Sequence, residues 1–121
     1  MKIFDLTKDN SNDINRLIYE MPTFVRFHSM QCGHCIAMNE DWKKIQEEMK
    51  NKNENMAIIS IEANDKDHFK GDKDIQGFPT LVKMIDGKIK HEYSGDRSYD
   101  DIINYIKKNF SQSGGAKNKT R

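Results

Sequence analysis

The amino-acid sequence predicts an α/β fold in which a mixed central β-sheet is flanked by helices on both faces. In the first half of the chain, short runs rich in β-branched and aromatic residues alternate with segments of helical periodicity. Strands joined by helices in this way pair in parallel. Further along, the dipeptide Asp86-Gly87 separates two more such runs, which is typical of a tight antiparallel hairpin. The 121 residues suffice for one domain.

The first predicted elements are a short strand at residues 3–6 and a helix at residues 10–20. The apolar face of this helix consists of Ile14, Leu17 and Ile18, and Asn10 or Ser11 is its expected N-cap. Pro22 ends the helix, because proline cannot continue a hydrogen-bonded helical turn. Residues 23–28, with the sequence TFVRFH, then form the second strand.

A long helix is predicted from residue 32 to about residue 50. Its apolar stripe, at spacings of four, three and four, is formed by Met38, Trp42, Ile45 and Met49. Residues 56–61, with the sequence MAIISI, are a short apolar run bounded by polar residues and predict a buried strand. The highly charged residues 64–74 have room for a short helix at most.

The last predicted elements are the hairpin strands at residues 80–85 and 89–94 and a final helix at residues 98–110. The apolar face of that helix consists of Tyr99, Ile102, Ile103, Ile106 and Phe110, and Ser98 is its expected N-cap. One folded domain is therefore expected over residues 1–110. Residues 111–121 contain no large apolar side chain and predict a disordered basic tail, either without a role or as a weak electrostatic anchor for an anionic partner.

Charge and hydropathy argue against several classes of function. Lys and Arg number 20 and Asp and Glu number 19, and the net charge of +1 argues against binding to nucleic acid or to an anionic membrane. No apolar run approaches the roughly 20 residues of a membrane span. The first residues lack the apolar core of a secretory signal and the last are not an ER-retention signal, so we expect a cytoplasmic protein. In that reducing compartment the cysteines are expected to be catalytic or metal-binding.

The sequence Cys32-Gly33-His34-Cys35 lies where a predicted strand meets a predicted helix. Unpaired backbone N–H groups at the start of a helix stabilise an anion, and so they lower the pKa of a thiol from its free value of about 8.5. Cys32 is expected to be exposed there, whereas Cys35 lies about one turn further on and is less accessible. Cys32 would therefore attack a substrate disulfide, and Cys35 would resolve the mixed disulfide.

Two other uses of the cysteine pair are weaker. A structural disulfide would close so short a loop that it would add little stability. A zinc site needs four ligands, and the sequence has no second cysteine pair and no histidine pair at metal-binding spacing. The histidines are His28, His34, His68 and His91. We therefore expect neither a bound metal nor another cofactor.

Three separate segments of the chain resemble, in the same order, the thioredoxin superfamily. They are the stretch from Thr23 to Met49, the sequence Gly77-Phe78-Pro79-Thr80, and the sequence YSGDRSYDDIINYIKKNF. The C-G-H-C motif is similar to that of the catalytic domains of protein disulfide isomerases, whereas thioredoxin proper has C-G-P-C. The resemblance covers about residues 3–110 and implies the thioredoxin fold.

The resemblance also implies roles for residues other than the cysteines. Gly33 and His34 would support the motif, and a protonated His34 favours the Cys32 thiolate. Pro79 would follow a cis peptide bond, and Phe78 and Pro79 would border the substrate groove. Arg97 corresponds to an arginine that swings toward the buried cysteine in disulfide isomerases, with one extra residue after the preceding glycine.

Three positions depart from the family pattern. Arg26 stands six residues before Cys32, where the family has a buried acid that carries protons. Gln31 replaces the usual Trp, and Glu40 replaces a proline, so the helix at residues 32–50 is expected to be straight. Arg26 must reach solvent or a carboxylate, because an unpaired buried charge is too costly. If Arg26 stays near the sulfurs, its charge favours thiolates and makes the cysteine pair more oxidising.

We therefore expect a monomeric enzyme that exchanges, makes or reduces disulfides in protein substrates, with an electron donor or acceptor of unknown identity. The C-G-H-C motif favours oxidation or isomerisation, and the missing signal favours cytosolic reduction. Disulfide formation in the cytosol by a large DNA virus would reconcile the two, and the tail is similar to the ends of such viral proteins. The alternative is a non-catalytic module that binds a partner or senses redox state, which the loss of the buried acid and the Trp favours.

Overall fold

The computed structural model describes residues 1–52 and 55–110, and the predicted tail at residues 111–121 lies outside the described residues. Five strands form one sheet in the order β1-β3-β2-β4-β5. The strands are Lys2–Asp5 (β1), Thr23–His28 (β2), Ala57–Glu62 (β3), Thr80–Ile85 (β4) and Lys88–Glu92 (β5). The predicted bounds of β2 and β4 are confirmed at both ends, and those of the other strands differ by one or two residues.

The sheet is mixed, as the order of elements predicts. β1 and β2 both pair in parallel with β3, which lies between them. β2 pairs antiparallel with β4, and β4 pairs antiparallel with β5. Asp86 (φ 55°) and Gly87 (φ 76°) connect β4 to β5, and both are left-handed. This backbone matches the right-handed twist of the strands, which explains the Asp-Gly sequence at the hairpin.

Helices cover both faces of the sheet. They are Ser11–Leu17 (α1), Gly33–Ala37 (α2), Asn39–Lys50 (α3) and Tyr99–Phe110 (α4), with a 3-10 helix at Ala63–His68. Because side chains of a strand alternate between faces, β2 contributes to two cores. Val25 and Phe27 pack with α1 on one face, and Phe24 packs with α3 and α4 on the other. The predicted arrangement of helices on both faces is confirmed.

The prediction of one straight helix over residues 32–50 is wrong, because the chain forms α2 and α3 with a break at Met38. Met38 has φ −95° and ψ 1°, outside the helical range. Its N–H donates to the carbonyl of Cys35, one residue short of α-helical spacing. The same carbonyl accepts from the guanidinium of Arg26, which also binds the side chain of Asn39. The buried arginine therefore holds the chain at the break, and the absence of a proline does not straighten it.

The ends of the helices also follow local hydrogen bonds. α1 ends at Leu17, because the next turn tightens: Tyr19 N–H donates to Arg16 O and Glu20 N–H to Leu17 O. Ser98 is the N-cap of α4, as predicted, since its hydroxyl accepts from the N–H of Asp101 at 3.3 Å. Among residues 1–52 and 55–110, none of the helices has the length and apolar content that a membrane crossing requires.

Candidate active site

Cys32 lies in the loop after β2, at the N-cap of α2, which is the junction that the sequence predicts. Its backbone is extended (φ −100°, ψ 117°), so its side chain turns back over the first turn of the helix. The Cys32 sulfur accepts from the backbone N–H of Cys35 at 3.1 Å, and its thiol donates to the carbonyl of Phe78 at 3.4 Å. Both cysteines are free thiols. This is the dithiol state of the pair.

The half-buried Cys32 is the thiol that ionises more readily. A hydrogen bond from the Cys35 thiol is the main cause that lowers the pKa of Cys32. Burial acts in the opposite direction, but the backbone N–H groups of Cys35 and His34 and the charge of Arg97 lower the pKa further. Cys32 is therefore the better nucleophile at neutral pH.

Cys35 has the opposite character. Its side chain is 1% exposed, and burial is the main cause that raises its pKa to about 11. The hydrogen bond to Cys32 raises the pKa as well, whereas the N–H of Ser29, 3.5 Å from the sulfur, and the charge of Arg26 lower it. Cys35 is thus the thiol of the pair that ionises less readily, and its sulfur is shielded from solvent.

The loop before β4 closes the other side of Cys32. The peptide bond between Phe78 and Pro79 is cis, as predicted. Phe78 is half-buried and Pro79 is buried. Since the carbonyl of Phe78 contacts the Cys32 thiol, the loop and the reactive sulfur share one surface. The ammonium of Lys66 lies 5.8 Å from the centre of the Phe78 ring, at the edge of this surface.

The supporting residues named from the sequence lie at the surface around the cysteines. His34 and Arg97 are exposed and line one cavity of about 540 Å³. In this arrangement the charge of Arg97 lowers the pKa of Cys32, whereas the resemblance implies that it stabilises the thiolate of the buried Cys35. A Cβ at Gly33 would meet no atom within 4 Å, so Gly33 faces open space. Gln31, in the position of the family's Trp, is exposed.

Arg26 lies beneath the site, as its strand position predicts, and is 3% exposed. One guanidinium nitrogen, Nη2, donates to Cys35 O at 2.9 Å and to Asn39 Oδ1 at 2.7 Å. The guanidinium also lies 5.5 Å from the centre of the Trp42 ring, and its Nε atom is buried without a hydrogen-bond partner. The prediction that Arg26 must reach solvent or a carboxylate is wrong, because a carbonyl, an amide oxygen and an aromatic face solvate it.

Sequence reasoning missed the side chains that hold the site from other elements. The carboxylate of Glu62, at the end of β3, accepts from the N–H of Met30 at 3.1 Å and from the N–H of Asn64 at 2.8 Å. This fixes the loop before Cys32 to the start of the 3-10 helix. Within residues 1–52 and 55–110, no cluster of three or more His, Cys, Asp or Glu side chains is arranged to hold a metal ion.

Three comparisons place this architecture among known proteins. The family profile described as thioredoxin matches residues 3–108. The Arabidopsis thaliana protein described as "Protein disulfide isomerase-like 1-3" is 31% identical over 109 residues, which are 89% of this chain and 18% of that protein. A thioredoxin domain-containing protein of Acanthamoeba polyphaga mimivirus is 28% identical over 115 residues, covering 90% of this chain and 33% of that protein. The J-Trx1 fragment of ERdj5 matches with a TM-score of 0.70 at 20% identity, covering 88% of this chain and 50% of that one.

Proposed function

Because this chain belongs to the thioredoxin family, with relatives among the protein disulfide isomerases, we propose that it is a thiol–disulfide oxidoreductase acting on protein disulfides through Cys32 and Cys35. The observation that supports this most strongly is the asymmetry of the pair. The pKa of Cys32 is lowered and that of Cys35 is raised to about 11, although hydrogen bonds join the two residues. Cys32 would therefore react first as a thiolate, and Cys35 would remain a thiol until the mixed disulfide has formed.

The proposed reaction transfers two electrons between the cysteine pair and a substrate. In the reducing direction, the Cys32 thiolate attacks one sulfur of a substrate disulfide, the substrate S–S bond breaks, and a substrate thiolate leaves. Cys35 then loses its proton and attacks the Cys32 sulfur. The Cys32–Cys35 bond forms, the second substrate thiolate leaves, and each departing thiolate takes up a proton according to its pKa. Oxidation of a substrate dithiol is the same sequence in reverse.

We propose that oxidation or isomerisation is the favoured direction. The guanidinium of Arg97 places a cationic group near Cys32, and its charge contributes to the lowered pKa of Cys32. A thiolate stabilised in this way stabilises the reduced form, which makes the pair a stronger oxidant. Disulfide isomerases and thioredoxins differ in potential by about 90 mV, equivalent to about 4 kcal/mol. The measured potential of the Cys32–Cys35 couple would decide the direction.

The chain covers 18% and 33% of the two relatives described above, so their activities as whole proteins do not transfer to it directly. We propose that residues 1–110 are a self-sufficient catalytic domain, and that protein thiols and disulfides are its substrates. Phe78 and Pro79 would border the groove that receives them. The mimivirus relative supports a viral source, in which the domain would act in the host cytoplasm or the virion.

Two features favour a second function, that of a binding module whose cysteines sense redox state. Arg26 cannot serve as the proton-carrying acid of the family, and Met30 and Ile36, near the cysteines in sequence, are 67% and 54% exposed. The two functions are separated by turnover. We expect the purified chain to reduce insulin with a dithiol donor and to refold a scrambled protein, and Cys32→Ser to abolish both. If the wild-type protein is folded but shows no turnover, the result would favour the binding module.

A further inference from the structure

The proposed reaction requires that the Cys35 thiol lose its proton. This thiol is 1% exposed, and its pKa of about 11 leaves almost none of it ionised at neutral pH. To attack the mixed disulfide, Cys35 must give its proton to a base. Arg26, the charged side chain in contact with the backbone of Cys35, cannot accept a proton because its guanidinium is already fully protonated.

A cavity of about 600 Å³ lies between the sheet and the start of α3, and it is lined by Arg26, whose guanidinium donates to the carbonyl of Cys35. Asn39 and Trp42 line it from α3, and His28 and Met30 line it from the end of β2 and the loop that follows. The other charged residues that face it are Asp5, Arg26, Glu40, Lys43, Glu62 and Asp65. The polar side chains among its lining residues offer hydrogen-bond partners to water, and its volume is many times that of one water molecule.

His28 lines this cavity together with Arg26, and the residue after it in the chain contacts the buried thiol. It is the last residue of β2 and lies on the same face of the strand as Arg26, two residues earlier. The next residue, Ser29, donates its N–H to the Cys35 sulfur at 3.5 Å. We infer that His28 accepts the proton of Cys35, through water in this cavity, when Cys35 attacks the mixed disulfide. This inference rests on the proposed oxidoreductase function.

The other groups of the cavity are poorer bases at neutral pH. Burial acts to raise the pKa of Glu62, but N–H groups of Asn64 and Met30 outweigh it and hold the pKa low. The carboxylate of Asp5 accepts from Gln46 at 3.2 Å. A carboxylate whose pKa is held low, such as that of Glu62, accepts protons weakly at pH 7, whereas a general base works best when its pKa is near the working pH.

The imidazole of His28 fits that requirement. Burial is the main cause that lowers its pKa, the charge of Arg26 lowers it further, and Glu62 and Asp5 act in the opposite direction. His28 is therefore neutral and free to accept a proton at neutral pH. Arg26 has two effects, since its charge favours the Cys35 thiolate and disfavours a protonated His28. The proton taken from Cys35 does not stay on His28 but passes to solvent through the open cavity.

The balanced step has three parts. The proton of the Cys35 thiol moves through water to an imidazole nitrogen of His28. The Cys35 thiolate attacks the Cys32 sulfur, the Cys32–Cys35 bond forms, and the bond from Cys32 to the substrate sulfur breaks. The substrate leaves as a thiolate, and the imidazolium releases its proton to water. His28 is thus a proton carrier, and it does not contact the substrate.

The test follows the reaction of the reduced protein with Ellman's reagent in a stopped-flow instrument. Attack by Cys32 releases one thionitrobenzoate, and resolution by Cys35 releases a second in a first-order phase. We expect His28→Gln to leave the first phase unchanged and to slow the second at least about tenfold at neutral pH, within the range of general base catalysis. Added imidazole should restore part of the lost rate. The matched control is His68→Gln, on the 3-10 helix, which should behave as the wild type.

The rate of the second phase in the wild-type protein, measured against pH, is an independent test that needs no substitution. With His28 as the base, the rate of the second phase rises with pH and levels off in the range where imidazole titrates. Without a base, the rate continues to rise above that range, because burial keeps the pKa of the Cys35 thiol high. A profile without a plateau, or an unchanged second phase in both His28→Gln and His28→Asn, overturns the role of His28. A slow second phase in Asp5→Asn alone assigns the proton to Asp5 instead.

The two proposals fail in different ways. If the wild-type protein releases only one thionitrobenzoate, Cys35 does not resolve mixed disulfides, and the oxidoreductase function fails together with the role of His28. If the wild type shows both phases and His28→Gln shows them at the same rates, the oxidoreductase function stands and only the role of His28 is lost.

Discussion

The guanidinium of Arg26 donates a hydrogen bond to the backbone carbonyl of Cys35 at 2.9 Å. A full positive charge therefore lies against the backbone of the buried cysteine, in the position where the family has an acid. Its charge lowers the pKa of Cys35, against the larger effect of burial. Arg26 therefore contacts the chain at the break before α3 and also affects the pKa of Cys35.

Replacing Arg26 with Met is expected to raise the pKa of Cys35 still further and to slow resolution at neutral pH, because less of the thiol ionises. Each unit of Cys35 pKa corresponds to about 1.4 kcal/mol and up to about a tenfold loss of thiolate. To the extent that the pKa of Cys32 rises as well, the reduction potential becomes more negative by about 30 mV per unit. Thiolate absorbance against pH and equilibration with glutathione measure the two effects.

The control for this prediction is Arg26→Lys, which keeps the positive charge but loses the forked geometry. It should retain more of the wild-type thiol titration than Arg26→Met. If all three proteins titrate alike, the charge of Arg26 has no effect on the cysteines and its role is confined to packing.

Asn39→Asp would supply the carboxylate that Arg26 lacks. The side chain of Asn39 already accepts from Arg26 Nη2 at 2.7 Å, so the geometry for a charge-assisted hydrogen bond exists. An acidic group in the first turn of α3 is also favourable to the helix. We expect a gain of about 0.5–1 kcal/mol in the free energy of unfolding, measured with urea, and slower resolution by Cys35. Asn39→Ala, which removes the acceptor, should lower stability instead.

Much of the fold was predictable because its signals are local. β2 and β4 match their predicted bounds because each is a run rich in β-branched, aromatic or aliphatic residues that begins directly after a proline, Pro22 or Pro79. The cysteine pair was predictable for the same reason. Two cysteines three residues apart at a strand–helix junction lie at the N-cap and in the first turn of the helix.

The features that were missed depend on contacts between elements. At the break at Met38, Arg26 on β2 donates to the carbonyl of Cys35, and the sequence of residues 32–50 does not indicate this contact. The carboxylate of Glu62 holds the N–H of Met30, 32 residues away in the chain, through the parallel register of β2 and β3. Sequence periodicity indicates which face a residue occupies, but it does not indicate which partner it will meet there.

Alkylation is expected to separate the two cysteines. Cys32 is half-buried with a lowered pKa and Cys35 is buried with a raised one, so iodoacetamide should modify Cys32 much faster at neutral pH. Peptide mass spectrometry after short exposure gives the two rates. Cys35→Ser should accumulate mixed disulfides with substrate, because the resolving thiol is gone. Equal alkylation rates for Cys32 and Cys35 would contradict the assignment of the nucleophile.

Ser60→Ala tests the packing of α3 on the sheet. The hydroxyl of Ser60, buried on β3, accepts from the indole N–H of Trp42 at 2.6 Å. Loss of this acceptor leaves the indole N–H unpaired in the core, at a cost of about 1–3 kcal/mol in unfolding free energy. Urea unfolding followed by the fluorescence of the single Trp measures it. Ser11→Ala, whose hydroxyl makes an exposed hydrogen bond to Lys8 O, should change stability by less than about 0.5 kcal/mol.

The stability of the reduced protein is expected to pass through a maximum in the alkaline range that the disulfide form does not share. Folding raises the pKa of Cys35 to about 11. Between about pH 8.5 and 11 the folded state therefore keeps a proton that the unfolded state has lost, and the free energy of unfolding falls as the pH rises. The pKa of Cys32 is lowered on folding, so stability rises as pH approaches 8.5 from below. The oxidised protein has neither thiol but has the same tyrosines, and subtracting its urea-unfolding profile isolates the cysteines. A difference profile that is flat between pH 8.5 and 11 would mean that Cys35 ionises as readily in the folded protein as in the unfolded chain.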